Sequence, residues 1–370
     1  MNAKQTVIWI NLLLFIVLLI APVSASYAGD KPLQTILHTE HPGALEFSLG
    51  DSRYSGELDY NDSYTVNFNV EPPKGSSIKF ARAYVYWVWS KNGLEGTYPE
   101  FNASLTQAGK STDKNTDEST GKNTSESTGK NTSESIGKTT SKTTSKTTST
   151  PLSESKRYTD TKGFAARYDF FSGADAYDMS ENISGSGNYS ISLVNTATDG
   201  STFCVQGIGL LLVYEGEDLP VIEYWINEGC DMLYAEYGIN AEMATMTTYF
   251  YGDLDPGEVA DASLITVSPS GGYSSDTGAR NKLFFNENTK SLPVIGDIIE
   301  LLFGSGKSWK NIYVTNETVQ VALDKRPVSN YLESEGNFAS IQDNGDYLLA
   351  TNAILVLEYK NSGTNNASGK

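Results

Sequence analysis

The two histidines are the first residues whose types could do chemistry. His38 and His41 stand on either side of Glu40 in the stretch HTEHPG, and they are the only histidines of the chain. Two imidazoles and a carboxylate can bind a metal ion, but a structural or catalytic zinc site needs further ligands that this stretch lacks. A polar loop is the better interpretation, and we predict no metal site here.

Acidic clusters are the second candidates. The stretch GDLDPGEVAD carries Asp253, Asp255, Glu258 and Asp261, and QDNGD carries Asp343, Asn344 and Asp346. Both could offer oxygen ligands to Ca²⁺, yet neither has the glycine and glutamate spacing of an EF-hand loop. Because Asp, Asn and Gly readily form turns, solvated turns are favoured. Calcium is indicated only weakly, and no other cofactor is predicted.

Nucleophile motifs are incomplete. LGDSRYSG contains Gly-Asp-Ser, but no histidine follows it, and no Gly-x-Ser-x-Gly elbow is present. FGSGKSWK imitates the end of a phosphate loop, but Leu301 stands where the first glycine belongs. A glycosidase needs two converging carboxylates, which a sequence cannot identify. We predict no catalytic residue and a protein that is not an enzyme.

Tryptophans offer a binding chemistry instead. In YVYWVW, alternation puts Trp87 and Trp89 on one face of a strand, and Trp225 lies in a later apolar segment. Exposed in a row, these rings would stack on sugars, whereas large aromatics in a central strand more often fill a core. Core packing is the favoured interpretation, and sugar stacking by Trp87, Trp89 and Trp225 remains open.

The amino terminus indicates export. Lys4 is followed by an apolar run from Val7 to Val23 and then by small residues, which is the order of a secretory signal peptide over residues 1–28. An uncleaved amino-terminal anchor is the alternative, because the run is at the low edge of a spanning length. Outside the cytoplasm, Cys204 and Cys230 are expected to form a disulfide, and two buried thiols are the other possibility.

In an exported protein, Asn-x-Ser/Thr sequons can carry glycans. Eight occur, and we predict them as glycosylation sites: Asn61, Asn102, Asn123, Asn131, Asn182, Asn188, Asn316 and Asn366. Two lie in a low-complexity tract rich in Ser, Thr and Lys, whose eight-residue repeat KNTSESTG shows no helical or strand face. The tract is predicted to be a disordered, glycan-bearing insertion over residues 110–156.

The elements that must position these residues are strands. ELDYNDSYTVNFNV alternates apolar and polar residues, and IKFARAYVYWVW is apolar on both faces, as in a central strand. GNYSISLVN and its following strand up to Tyr214 are echoed by GNFASIQDN and the strand up to Tyr359. We therefore predict an all-β protein of two tandem antiparallel, jelly-roll-like β-sandwich domains, residues 44–218 with the insertion and residues 219–360, followed by a disordered tail at 361–370.

The apolar landmarks resemble a known family. ARAYVYWVW, YDMSENI, GIGLLLVYE, IEYWINEGCD, MTTYF and NAILVLEY occur in this order between Ala44 and Lys360. Their order is similar to that of an uncharacterised domain family common in secreted and surface proteins of methanogenic archaea. The resemblance implies a cell-surface setting, but it implies no activity and no catalytic residues.

The net charge of the protein restricts the classes of partner that it can bind. The net charge of −18 argues against nucleic-acid binding, which needs cationic surface. Three functions remain: a secreted or cell-surface structural or adhesive glycoprotein without catalytic activity, an extracellular carbohydrate-binding protein, and an extracellular glycoside hydrolase on a β-sandwich. The first is favoured. Its expected partners are other cell-envelope components or surface glycans, with membrane contact only through an uncleaved amino-terminal segment.

Overall fold

The computed structural model of the chain describes residues 29–108, 149–162, 170–236, 238–272, 281–287, 306–345 and 347–360. The predicted signal segment, most of the predicted insertion and the predicted tail lie outside these residues. So does the short helix that VIGDIIELLFG suggests. No helix within the described ranges is long and apolar enough to cross a membrane.

The protein is all-β, as the alternating and doubly apolar segments predicted. Nineteen strands are described, and the one helical element among the described residues is a 3₁₀ turn at Ser329–Tyr331. The chain divides into two compact units. Unit 1 comprises residues 1–39, 159–172 and 223–360, and unit 2 comprises residues 40–158, 173–222 and 361–370. Unit 1 therefore takes in two segments from the first half of the chain, unlike the contiguous domains expected from sequence.

The divisions fall within four strands, which are β1 (Gln34–Ser48), β8 (Lys156–Asp160), β9 (Phe171–Asp178) and β12 (Val221–Leu233). The strands wholly within unit 2 are β2 (Glu57–Leu58), β3 (Ser63–Val70), β4 (Ser77–Asn92), β5 (Glu95–Gly96), β6 (Phe101–Ala108), β7 (Ser149–Leu152), β10 (Gly187–Asn195) and β11 (Thr202–Glu215). Those within unit 1 are β13 (Thr245–Phe250), β14 (Val259–Pro269), β15 (Lys282–Phe285), β16 (Lys307–Lys310), β17 (Val321–Pro327), β18 (Asn337–Gln342) and β19 (Leu348–Tyr359).

Each unit combines a four-stranded sheet, the smaller one, with strands of a larger, 11-stranded sheet. In unit 2 the strands run β3-β10-β6-β7 in the smaller sheet and β1-β11-β4-β9-β8 in the larger one. In unit 1 they run β13-β18-β15-β16 and β17-β14-β19-β12. The echoed segments hold corresponding places, because β10 and β18 are second in the smaller sheets, and β11 and β19 pair antiparallel with β4 and β14.

Burial follows the residue pattern. Strand β3 alternates strictly between exposed and buried residues, so one face of the smaller sheet of unit 2 lies against the core. Strand β4 is buried on both faces from Ala81 to Val88, as its apolar run predicts for a central strand. In unit 1 the apolar side chains of both sheets form one core that includes Trp225, Phe250, Phe285 and Leu355.

The predicted insertion is too long at its carboxy-terminal end. Residues 149–152 form β7, which pairs antiparallel with β6 from Thr106↔Ser149 to Ala103↔Leu152. Strand β8 begins at Lys156. Pro151 is compatible with this place because β7 is an edge strand, where a missing N–H breaks no ladder. Strand β7 contains few apolar residues but still forms, because its partner strand β6 supplies the hydrogen bonds.

Candidate functional site

The three tryptophans proposed for sugar stacking differ in their exposure to solvent. Trp87 in unit 2 is 0% exposed and Trp225 in unit 1 is 1% exposed, so both are core residues. The Nε1–H of Trp87 donates to Asp175 Oδ1 at 2.9 Å, and that of Trp225 donates to the carbonyl of Tyr251 at 2.8 Å. Trp89 is 43% exposed. Of the three, only Trp89 can offer a ring face to a ligand.

A break in the strand separates Trp89 from Trp87. The register between β4 and β11 shifts where Val88 pairs with Cys204 and Lys91 pairs with Thr202. Two residues of β4, Trp89 and Ser90, therefore face one residue of β11, which is a β-bulge. Trp89 takes φ +59°, a left-handed conformation that is rare for a bulky side chain. The bulge reverses the alternation, so Trp89 points outward although Trp87 two residues earlier is buried.

The bulge places Trp89 on an exposed hairpin. Lys91 pairs with Gly96, and the N–H of Thr97 donates to the carbonyl of Ser90 at 3.1 Å. Tyr98 follows Thr97 on the returning side of this hairpin. Tyr98 is 51% exposed and Leu94 at the turn is 92% exposed. We call residues 89–98 the Trp89 hairpin. It combines two aromatic side chains and one aliphatic side chain on the surface of unit 2.

Unit 1 has an exposed aromatic pair of its own. The rings of Tyr249 and Tyr251 are stacked with centroids 5.6 Å apart, and Tyr249 also contacts Phe338, its partner across β13 and β18, at 5.8 Å. Tyr251 is 69% exposed. Tyrosines of this kind present a rigid, amphipathic surface at low entropic cost.

A buried lysine lies among three carboxylates in unit 1. The side chain of Lys162, just after β8, is 2% exposed. Its Nζ lies 2.8 Å from Asp160 Oδ2 and 3.0 Å from Asp231 Oδ1, and it also contacts Asp30. The three carboxylates offer oxygens within 4.8 Å of one another. We call these four residues the Lys162 cluster. The ammonium group occupies the position that a cation would otherwise take between them.

Hydrogen bonds fix the two buried carboxylates. Asp160 Oδ1 accepts the N–H of Thr161 at 2.9 Å and lies 2.7 Å from Lys31 Nζ, and Asp160 Oδ2 accepts the N–H of Met232 at 2.8 Å. Burial raises the pKa of Asp231 to about 7, although the Lys162 ammonium opposes that shift. The carboxylates raise the pKa of Lys162 against the opposing effect of burial. The cluster therefore combines a lysine and an aspartate that both have raised pKa values.

The metal candidates from sequence have other roles. In unit 1, His38 stacks on Trp225 at 4.2 Å, and its Nε2 lies 2.7 Å from Glu223 Oε1. Asp255 accepts the N–H of Gly257 at 2.8 Å, and Asp343 accepts those of Ala235 and Gly345. Asp255 is exposed and closes a turn, as the favoured interpretation of solvated turns predicts. Asp343 is buried, so the prediction of a solvated turn is wrong there, and its carboxylate instead binds a distant backbone N–H. In unit 2, His41 is buried.

The cysteines do not form the expected disulfide in the structure. Cys204 in β11 and Cys230 in β12 are both free and buried, which corresponds to the alternative of two buried thiols. Burial raises the pKa of each thiol, and for Cys230 the carboxylates of Asp160 and Asp231 raise it further. Both cysteines belong to central strands, where a small apolar side chain packs well.

The described sequons are mostly accessible. Exposed asparagines are Asn61, Asn102, Asn188 and Asn316, and Asn182 is half-buried. Asn316 sits in a turn, where its Oδ1 accepts the N–H groups of Thr318 and Val319. Asn123, Asn131 and Asn366 lie outside the described residues.

Sequence reasoning missed the Lys162 cluster. Lys162 and Asp231 are 69 residues apart, and no local spacing connects them. One signal was present, because Asp231 follows the apolar stretch IEYWIN within what became a buried strand. A charge in such a strand requires a partner, but the sequence does not say which one.

The chain belongs to the family described as protein of unknown function (DUF3344), whose model matches residues 26–358. This confirms the predicted membership of an uncharacterised domain family. No curated protein sequence matches the chain significantly.

Two solved structures are distantly similar. The major capsid protein P2 from bacteriophage PM2 has 9% identity and a TM-score of 0.20, with 86% of this chain and 100% of that chain covered. A peptide-N(4)-(N-acetyl-β-D-glucosaminyl) asparagine amidase has 11% identity and a TM-score of 0.22, with 86% and 96% covered. At these TM-scores the similarity carries no argument about this protein.

Proposed function

We propose that the protein is a secreted or cell-surface structural or adhesive glycoprotein without catalytic activity, and that it adheres by binding glycans on the Trp89 hairpin. The proposal joins two of the functions that the sequence left open. Its location rests on the signal-like amino terminus, and the resemblance to surface proteins of methanogenic archaea supports the same setting. The accessible sequons supply the sites for its own glycans.

The observation that carries the binding function is the exposure of Trp89 in a strained conformation. A tryptophan in the left-handed conformation is less stable than an asparagine or glycine would be at the same position. We infer that this tryptophan serves binding and not the stability of the fold. Exposed aromatic rings stack on the apolar faces of sugar rings, and Tyr98 across the hairpin widens the platform. Leu94 extends the apolar surface at the turn.

The first test measures polysaccharide affinity. We expect retarded migration of the full chain in gels containing soluble polysaccharides, tested over a panel of neutral and acidic polymers. Trp89→Asn removes the ring while tolerating the left-handed backbone. Loss of a central aromatic contact is worth about 2 kcal/mol, so we expect roughly a 30-fold weaker Kd. Tyr60→Ala is the matched control, because Tyr60 is 53% exposed in the same unit and lies outside the hairpin.

The outcomes distinguish the alternatives. Equal weakening by Trp89→Asn and Tyr60→Ala, or binding that only Tyr251→Ala abolishes, would show that the Trp89 hairpin is not the binding surface. The second result would favour the Tyr249–Tyr251 pair of unit 1. Release of new reducing ends from a bound polysaccharide would contradict the absence of catalytic activity and favour a hydrolase.

A further inference from the structure

The Lys162 cluster brings together the groups that an amide-forming reaction needs. It provides a primary amine, a carboxyl group with a raised proton affinity, and a second carboxylate beside both. The reacting groups belong to a side chain that is 2% exposed and one that is 0% exposed. The surface function proposed above does not use any of them.

We propose that Lys162 and Asp231 join in an intramolecular isopeptide bond, with Asp160 as the residue that transfers protons between them. The bond forms between Lys162 Nζ and the side-chain carbonyl carbon of Asp231. The proposal stands whether or not the Trp89 hairpin binds sugars, because it concerns only unit 1.

The reaction balances without an oxidant or a co-reactant. The Lys162 ammonium first gives one proton to the Asp231 carboxylate, which leaves a neutral amine and a neutral acid. The amine lone pair then attacks the carbonyl carbon, and the nitrogen loses a proton to Asp160. Asp160 returns that proton to the departing hydroxyl, which leaves as water as the amide forms. One water is lost and Asp160 is regenerated.

Burial acts on both groups that must react. Desolvation penalises the charged form of each group and raises the pKa of Asp231 to about 7, so this carboxylate takes up a proton more readily than an ordinary aspartate, whereas the surrounding carboxylates oppose the loss of a proton from Lys162. The fold also holds Lys162 Nζ 3.0 Å from Asp231 Oδ1, so the two reacting groups are already in contact. Groups held in this way react with very high effective concentrations.

The neighbouring carboxylates have different roles. Asp160 accepts two backbone N–H groups and contacts Lys31, so its carboxylate is held in place beside Lys162 Nζ, where it can take up and return a proton. Asp160 is also only two residues from Lys162, so an amide between them would link only neighbouring positions of one segment. The side chain of Asp30 is 30% exposed, where water competes for the same chemistry. Asp231 alone is fully buried on a central strand.

Peptide mapping tests the bond directly. Trypsin does not cleave after an acylated lysine, so the segment 158–167 should remain whole. With a second protease that cuts after glutamate, it should stay attached to the segment 229–236. We expect this branched product from the folded full chain, produced in a host that adds no glycans. Its mass should be the sum of both peptides minus one water.

Three variants separate the roles. Lys162→Arg keeps the charge but cannot form the amide, and its segment 229–236 should be unbranched. Asp231→Asn should still react but lose one ammonia, because a carboxamide releases ammonia where an acid releases water. Asp160→Asn should fold, as judged by circular dichroism, and show at least a tenfold smaller branched fraction after equal times. Lys91→Arg is the control in unit 2, because Lys91 has an exposed carboxylate partner in Glu57.

Clear results would overturn the proposal. Cleavage after Lys162 in the folded wild-type protein, with segment 229–236 at its unmodified mass, would show that no bond forms. A branch at Asp30 or Asp160 would refute the assignment to Asp231, and an undiminished branch in Asp160→Asn would refute the role of Asp160. If Lys162→Arg fails to fold, the wild-type and Asp231→Asn masses still decide.

Discussion

Removing Arg157 from unit 2 should destabilise that unit strongly. The guanidinium binds Asp175 through two parallel bonds, Nε to Oδ1 at 2.9 Å and Nη2 to Oδ2 at 2.6 Å. The Asp175 side chain is 0% exposed, and it also accepts the Nε1–H of Trp87. Arg157→Met keeps most of the aliphatic stem and deletes the charge. A buried carboxylate is then left without its cation.

The magnitude follows from that burial. Deleting one partner of a buried ion pair costs about 3–5 kcal/mol, because the remaining charge keeps its desolvation penalty. Arg326 provides a matched control in unit 1, since it forms a two-bond pair with Asp324 at the same shortest distance of 2.6 Å. In that pair the side chains are 32% and 14% exposed, so Arg326→Met should cost about 1 kcal/mol or less.

The assay is urea unfolding monitored by hydrogen exchange. Exchange is measured separately on peptides of β4 in unit 2 and of β14 in unit 1. The double variant Arg157→Met with Asp175→Asn should regain a large part of the lost stability, because no unpaired buried charge remains, the second partner Glu154 being exposed, and the amide oxygen can still accept from Trp87. Equal losses for Arg157→Met and Arg326→Met, or a double variant no more stable than the single one, would refute the reasoning.

Three further predictions concern unit 1, the thiols and the insertion. In Lys162→Arg, Asp231 stays a free acid, and burial should still raise its pKa above the ordinary 3.8, so the folded state binds its proton more tightly. Unfolding free energy should therefore fall as pH rises from about 4 towards 7, by up to about 1.4 kcal/mol per pH unit. Urea unfolding should show no such slope in the wild type, where the proposed isopeptide bond removes this acid, or with Asp231→Asn added. Thiol titration without reductant should find Cys204 and Cys230 free on unfolding and slow to react when folded; an absence of free thiols in the unfolded chain would contradict the structure. Replacing residues 109–148 by a short glycine-containing turn should leave the unfolding midpoint unchanged or raised, because β6 and β7 are already paired; unfolding of the shortened chain would contradict this.

Much of the fold was predictable because it depends on local patterns. The strict alternation of β3 and the doubly apolar run of β4 each identify a strand and its burial. The unit boundaries were less predictable. Residues 29–39 and 159–172 belong to unit 1 through partners far away in sequence, which no local pattern encodes. Strand β7 was missed because an edge strand needs only a partner, and its own composition favours disorder.

The binding candidates show the same limit. Trp87 and Trp89 have the spacing of residues on one face, and only the bulge opposite Phe203 reverses that relation. A bulge of this kind depends on the partner strand, so alternation alone cannot locate it. The partners of the buried carboxylates were even less predictable from the sequence. Asp231 stands in a strand whose apolar residues were recognised, and Asp175 in one that was not, but the cations that neutralise both come from another segment.

That segment is short and supplies both units. Residues 156–162 carry Arg157, which binds Asp175 in unit 2, and Lys162, which binds Asp231 in unit 1. The two cations are not equivalent. A guanidinium keeps its proton at any ordinary pH, so Arg157 can only be a fixed ionic partner, whereas an ammonium can become a neutral, nucleophilic amine. A purely structural need for buried positive charge would be met by arginine at either place. The use of lysine where an aspartate of raised pKa and a second carboxylate lie within reach is the reason to expect covalent chemistry at Lys162 and none at Arg157.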